Sequence, residues 1–444
     1  MKKAWIYVVV LALTASGGLL FARWARVFGG PYHDYVHSAW ELANRDIIVG
    51  GDTQILSGLP VYLWLSRMSP SGEVRWQKKY FLDENNKMVG FEPASDGGFA
   101  VLSSGFWFLK LDADGSIVWQ RRYSSTPNAV GGTALKAVSD GGWILGGGQF
   151  LSSVGWEVVL VKIDSGGAIQ WQRRYGAADY DVLIGIDQTE DGGYVLAVRS
   201  NDFSAGEMDY MVVRVDSVGA LQWAKTYGGA DYDEIKAVRA APDGGYYVVG
   251  RTESFGLGGS DVWLLKLSSS GAVLWQKTYG ASESDQGTDV YLTPDGNLLV
   301  SGMTSSFGTG AGDVWALSLD ASGNILWQKT FGAGTAADWG DSIRPTMDEG
   351  VLIGASGQSV GYGQMDNIVL RLFPDGTLDA GCPSSGYYIG TSSAAARSTS
   401  VAGVTASLAT SVPSITASTS AGTQINQSLN TRFICESGKK GSLR

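Results

Sequence analysis

A tryptophan returns at a nearly fixed interval through most of this 444-residue chain. It stands in WQKKYF at Trp76, WQRRYS at Trp119, WQRRYG at Trp171, WAKTYG at Trp223, WQKTYG at Trp275 and WQKTFG at Trp327, at spacings of 43, 52, 52, 52 and 52 residues. Trp24, in WARVFGG, lies 52 residues before the first of these. A glycine precedes each of the last six by four residues: Gly72, Gly115, Gly167, Gly219, Gly271 and Gly323. A second marker lies midway through each unit: DGGF at Asp96, DGGW at Asp140, DGGY at Asp191 and Asp243, DGNL at Asp295 and DEGV at Asp348. In the first unit Asn44-Arg45-Asp46 fills the same slot. Asp-Gly between alternating apolar runs is a strong hairpin signal, because the turn needs positive φ.

The unit from 228 to 279 reads as four strands: DEIKAVRAA, YYVVGRT, DVWLLKL and AVLWQKTY, here named a to d. The a–b turn is DG, the c–d turn is SSSG, and the b–c loop ESFGLGGS is longer. Four short strands per unit of about 50 residues is the spacing of propeller blades, not of helical repeats. No 3.6-residue period competes. Length alone would suggest two or three domains, but a repeat overrides that prior. Composition agrees: 62 Gly, only 17% charged residues and 11% aromatics exclude a disordered chain and fit many strands joined by tight turns.

The two ends complement each other. The last unit has strand c, NIVLRLF, and a turn ending at Gly376, but Ala380 stands where the next Trp should be. The missing strand d is ARWARVFGG, near the N-terminus. Pairing it with the last blade closes a ring and removes open edges. The expectation is an all-β, seven-bladed propeller of four-stranded blades over residues 23–380. Its second blade is short because its b–c loop is cut to SSGF.

The motif YGG…DGGY-V-V-G-R-T…GG-S-D-V-W-L-L-K-L…G-x-x-x-W resembles the SBBP-type β-propeller repeat of bacterial secreted and surface proteins. That resemblance covers residues 23 to 380 and implies an extracytoplasmic propeller without one biochemical activity. The Gly-x-x-x-Trp turn is also similar to the tryptophan-docking turn of PQQ-type propellers. That family includes dehydrogenases that need a vicinal disulfide and a calcium cluster, and this chain has no adjacent Cys pair.

Aligning the units produces two acidic columns. The one before strand a holds Asp34, Asn86, Val130, Asp181, Asp233, Asp285 and Asp338; the one opening strand c holds Tyr62, Gly105, Glu157, Asp209, Asp261, Asp313 and Asp366. The d–a and b–c loops emerge at the same end of a blade, so ten carboxylates share one face. One reading is a site for Ca2+ or a polar ligand, since converging oxygen ligands suit calcium. The other is that each Asp accepts backbone N–H groups in its own turn. Lys78, Lys79, Arg121, Arg122, Arg173, Arg174, Lys225, Lys277 and Lys329 follow the Trp of strand d, on the blade rims. They would either recognise anionic glycans or lipid headgroups, or guard the outer edges against pairing. The seven Trp are either sugar platforms or packing between blades. His33 and His37 have no catalytic partner legible in the sequence.

Lys2 and Lys3, an apolar run from Ala4 to Leu20 and the small Ala22 read as a signal peptide, residues 1–22. Cleavage leaves no transmembrane anchor and takes the net charge from −10 to −12, by loss of the two Lys. Such a charge argues against a nucleic-acid partner. Export permits a Cys382–Cys435 disulfide. Residues 381–444 form a Ser/Thr-rich extension, with 17 Ser or Thr and one charge, Arg397, between 391 and 430. It reads as a stalk or as loosely alternating strands. The functional expectation is a secreted or periplasmic binding and scaffold module, with a protein or glycan partner at the cell envelope met on the acidic loop face. The alternatives are a glycan hydrolase or lyase using those carboxylates, and a calcium-stabilised surface protein.

Overall fold

The computed structural model describes residues 23–378, short loop stretches excepted, and seven short strands of the C-terminal extension between Tyr388 and Cys435. The expected signal peptide and Cys382 lie outside the described residues.

The architecture is the expected one: seven antiparallel sheets, each with consecutive strands a to d, and no helix among the described residues. In the fifth blade the strands are Asp233–Ala240, Tyr246–Thr252, Asp261–Leu267 and Val273–Tyr279, within a residue of the sequence reading. The seventh blade is Asp338–Pro345, Val351–Gly357, Asp366–Leu372 and then Trp24–Gly29, so the N-terminal strand does close the ring. In the short second blade, Phe99–Ser103 and Trp107–Leu111 are joined by residues 104–106 alone.

Blades buried on both faces pack against their neighbours, so the core is divided among the interfaces. One cluster joins Val195, Tyr210 and Val212 of blade 4 to Ile235, Val248 and Trp263 of blade 5. Equivalent clusters fill the other six interfaces, the last joining Trp24 and Val369 to Val36 and Trp64.

A repeated contact fixes the outer part of each interface. The strand d tryptophan lies against the c–d turn of the next blade. Trp171 Nε1 donates to Ser217 O at 3.1 Å, Trp223 to Ser269 O at 3.1 Å and Trp327 to Pro374 O at 2.8 Å. Trp24 donates to Pro70 O at 3.0 Å across the closure. The tyrosine four residues on donates its hydroxyl to the turn glycine: Tyr123 to Gly167 O at 2.8 Å, Tyr227 to Gly271 O at 2.7 Å, Tyr279 to Gly323 O at 2.7 Å. The tryptophans therefore pack between blades and present no free sugar platform. The rim bases lean over these rings, with Lys78 5.6 Å from the Trp76 centroid and Arg121 5.6 Å from that of Trp119.

At the opposite end from the expected acidic face, six of the seven a–b turns carry an Asp bound by a base from strand c. Lys110–Asp96, Lys162–Asp140 and Lys266–Asp243 are 2.8 Å pairs; Arg214–Asp191 is 2.6 Å, Arg67–Asp46 2.9 Å and Arg371–Asp348 3.0 Å. Blade 6 has Asp295 without such a partner from Ser318. Four of these acids are 54–69% exposed. Exposed carboxylates thus occur at this end of the ring.

The extension does not project from the ring. Its strands add a fifth member to all seven sheets, and Cys435 pairs beside Ala25.

Gly271 tests the docking contact. It takes φ of +74°, and a Cβ there would meet the Trp223 ring at 3.0 Å. Gly244, at φ +77°, has only Ser269 Cβ at 3.9 Å. Gly244→Ala should cost about 1–2 kcal/mol, the left-handed backbone penalty alone. Gly271→Ala should cost measurably more in urea unfolding, because Trp223 must also move.

Candidate functional site in the central channel

Strand a lines the channel, and every strand a carries a β-bulge. The register with strand b slips between Val36 and Ser38, Met88 and Gly90, Gly132 and Ala134, Leu183 and Gly185, Ile235 and Ala237, Gly287 and Asp289, and Gly340 and Ser342. Each slip leaves one residue unpaired: His37, Val89, Thr133, Ile184, Lys236, Thr288 and Asp341 respectively. Bulges re-aim side chains. Six of these seven, all but Thr133, line a channel cavity of about 490 Å³.

Below this ring, toward the a–b turns, a second ring closes on itself electrostatically. Lys136 bridges Glu92 at 3.8 Å and Asp187 at 3.2 Å. Arg239 binds Asp289 at 2.6 Å, and Arg344 pairs with the same carboxylate. Arg344 also stacks over Trp40 at 4.6 Å and Tyr291 at 5.3 Å. Three acids meet three bases. Burial alone would raise Asp289, but Arg344 and Arg239 outweigh it and hold the carboxyl below its ordinary value.

The bulge ring is not balanced in this way. On the wall of blades 7 and 1, His37 Nε2 lies 2.9 Å from Asp52 Oδ2. Burial pulls the imidazole down, yet the Asp52 carboxylate outweighs it and holds its pKa above the ordinary histidine value. Asp341 accepts from Ser356 Oγ at 2.7 Å. Burial pushes its carboxyl up to about 7, against the opposing pull of Ser356 and His37. His37 and Asp341 also face a side pocket of about 270 Å³ with Tyr35, Asp52 and Lys87. On the wall of blade 5, Lys236 reaches Glu234 at 2.7 Å. Arg199 and Arg251 bind the same carboxylate at 2.9 and 3.2 Å, so three cations share one acid. The channel lining is therefore asymmetric: His37 and Asp341 stand on the wall of blades 7 and 1, and Lys236, backed by a carboxylate that it shares with Arg199 and Arg251, on the wall of blade 5. Groups with such displaced protonation, facing one cavity, mark a site where polar or acid–base chemistry can occur.

The nine aspartates of the acidic columns lie elsewhere. Asp34, Asp181, Asp233, Asp285, Asp338, Asp209, Asp261, Asp313 and Asp366 are 0–2% exposed, and none lines the channel cavity. Asp233 accepts from Gly229 N and Ser254 Oγ, both at 2.8 Å; Asp285 accepts from Ala281 N at 3.0 Å and Ser306 Oγ at 2.6 Å. Asp338 accepts from Ser359 N at 3.1 Å, and Asp261 from Leu257 N at 2.5 Å. They brace the loops around the mouth. A Cβ on Gly280 would fall 1.7 Å from Asp261 Oδ1, which is why the d–a corner there needs glycine. Among the described residues, no three His, Cys, Asp or Glu are grouped to hold a metal ion, and no helix is long and apolar enough to cross a membrane.

Sequence reasoning found the columns that repeat and missed the one that does not. The unpaired column reads His, Val, Thr, Ile, Lys, Thr, Asp, a mixture of charged, polar and apolar residues that no repeat pattern marks.

No family model matches the chain. The regulatory protein FlaEY of Caulobacter vibrioides is 27% identical over 161 residues, a match covering 31% of this chain and 17% of that protein. Among solved structures, the WD40 propeller of Doa1 covers 78% of this chain and 96% of its own, with a TM-score of 0.49 at 10% identity. The Neurospora crassa Pan2 WD40 domain covers 78% of this chain and 95% of its own, with 0.48 at 10% identity. The Dos1 propeller covers 81% and 98%, with 0.47 at 11% identity. These are distant likenesses of shape; the fold rests on the strand pairings above.

Asp341 generates a pH prediction. In the unfolded chain it ionises near about 4; in the native chain it keeps its proton up to about 7. The native state therefore binds more protons in that window, and stability falls as pH rises through it. Asp338, pushed up to about 6 chiefly by burial, acts in the same sense. Asp341→Asn should flatten, without abolishing, the fall in urea midpoint between about pH 4.5 and about pH 7.5.

Proposed function

We propose that this chain is an exported propeller of the SBBP-repeat kind, serving as a binding and scaffold module for a protein or glycan of the cell envelope. Propellers host many unrelated functions, so the reading leans on the site. The observation that carries it is the asymmetric bulge ring, where Lys236, Arg199 and Arg251 share the single carboxylate of Glu234, above a ring whose charges pair off. His37, Lys236 and Asp341 break a sevenfold pattern inside a cavity of about 490 Å³. A ligand inserting hydroxyl, amine or carboxylate groups meets donors at Lys236 and His37 and an acceptor at Asp341. The buried aspartates would serve by stiffening the mouth rather than by touching the ligand.

The test is binding to a glycan array and to solubilised envelope proteins, with His37→Ala, Lys236→Ala and Asp341→Asn beside a rim control, Lys78→Ala. At least a tenfold loss of the bound species in the channel variants, with the control unchanged, is expected. Loss in the rim variant alone would move the site to the blade edges.

One observation favours a second reading, glycan hydrolysis or elimination: His37 and Asp341 face one cavity with displaced protonation. The same variants assayed for turnover on polysaccharides decide it, since acid–base catalysis requires activity that Asp341→Asn removes. Export predicts a mature N-terminus at Arg23 by mass spectrometry, and non-reducing peptide mapping should recover Cys382 bonded to Cys435.

A further inference from the structure

A ring of blades leaves one exposed edge per blade, along strand d, where unpaired N–H and C=O groups invite another chain. The C-terminal extension meets all of these edges. Tyr388–Gly390 pairs with strand d of blade 6, Arg397–Ser398 with blade 5, Val404–Thr405 with blade 4 and Ala409–Ser411 with blade 3. Ile415–Ser418 pairs with blade 2, Thr423–Asn426 with blade 1 and Asn430–Cys435 with blade 7. No blade is skipped, and the order runs against the chain's own.

The register repeats as well. In every blade the pairing includes the residue three after the docking tryptophan: Lys79, Arg122, Arg174, Thr226, Thr278, Thr330 and Val27, opposite Ile425, Ser418, Ser411, Val404, Arg397, Gly390 and Arg432. The extension therefore circles the propeller at one height. From the first strand to the last, six steps cover residues 388 to 430, or seven residues per step. Seven nearly extended residues span about 23 Å, comparable to the distance between neighbouring blades at a rim five strands out. The composition suits the task. Ser, Thr, Val and Ile pair on an edge through the backbone, almost without charge to repel the rim bases.

We propose that residues 388–435 are a belt that locks the propeller closed, not a stalk that carries it. The lock is its last strand. Trp24–Gly29 is the only strand d that is not continuous with its blade, and it is held between Asp366–Leu372 on one side and Asn430–Cys435 on the other. Opening the ring at this seam requires peeling the belt as well. The belt can be laid down only once the blades stand in order, so it is the final element to form and the first to leave.

Hydrogen exchange read by mass spectrometry tests this on the full-length chain. Ile425→Pro removes one backbone donor and pairs only with blade 1; it should speed exchange at Lys78–Phe81 at least tenfold and leave the strands d of blades 3 to 6 unchanged. Deletion of residues 430–444 should speed exchange across Trp24–Gly29 and raise the global unfolding rate. Deletion of 388–444 should bare every strand d and bring self-association in sedimentation; if that variant fails to fold, the first two decide alone. Unchanged exchange at Lys78–Phe81 in Ile425→Pro and at Trp24–Gly29 in the short deletion would overturn the belt and restore the stalk.

Discussion

The docking of each strand d tryptophan on the next blade's c–d turn is the contact on which the ring depends. A propeller must hold seven twisted sheets at one angle, and apolar packing is non-directional. The turn supplies direction. Its glycine sits at positive φ, lets the indole approach its α-carbon, and offers its carbonyl to the tyrosine four residues further on. Because Trp24 makes the same contact with the turn of blade 1, the seam between the chain's two ends has the geometry of every other interface. The period of the sequence is the period of this contact.

That dependence explains what could be read from the sequence. Glycine and tryptophan at docking have no substitutes of the same shape, so their spacing exposed the blade count, the strands to within a residue and the ring closure. The acidic columns were equally visible, but a sequence shows a carboxylate without showing the loop folded over it. Asp233 and Asp285 look like open ligands until their partners Gly229, Ser254 and Ser306 are placed. The bulge was invisible for the opposite reason. Six of the seven unpaired residues of strand a face the channel, where no packing constraint selects a residue type, so the column mixes charged, polar and apolar residues. The belt left little trace because edge pairing uses the backbone, which any Ser, Thr or Val provides equally well.

Electrostatics divides the channel into two levels with different physical character. The lower ring couples Glu92, Lys136 and Asp187, and Arg239, Asp289 and Arg344, so that each buried charge has an opposite neighbour. Buried ions are tolerated when paired in this way, and removing one would strand its partner. The upper ring keeps His37 and Asp341 apart from Lys236; burial raises the proton affinity of Asp341, and Asp52, against burial, raises that of His37. One level holds blades together; the other has charge left to offer.

A symmetric repeat makes departures from symmetry informative. What every blade needs recurs in every blade, as the docking glycine does, while the buried loop aspartates and the pairs of a–b turn acid and strand c base recur in most of them. A group present in one blade only cannot be there for the blade's own sake. Position 37 is His where its equivalents are Val89, Thr133 and Ile184, and Asp52 of blade 1 occupies the strand b position that is Arg199 in blade 4 and Arg251 in blade 5. His37, Asp341 and Lys236 line the channel cavity, while Asp52 pairs with His37, and Arg199 and Arg251 share Glu234 with Lys236. Blades 2, 3 and 6 carry uncharged residues at the same bulge position, Val89, Thr133 and Thr288, so the blade fold by itself does not require these charges.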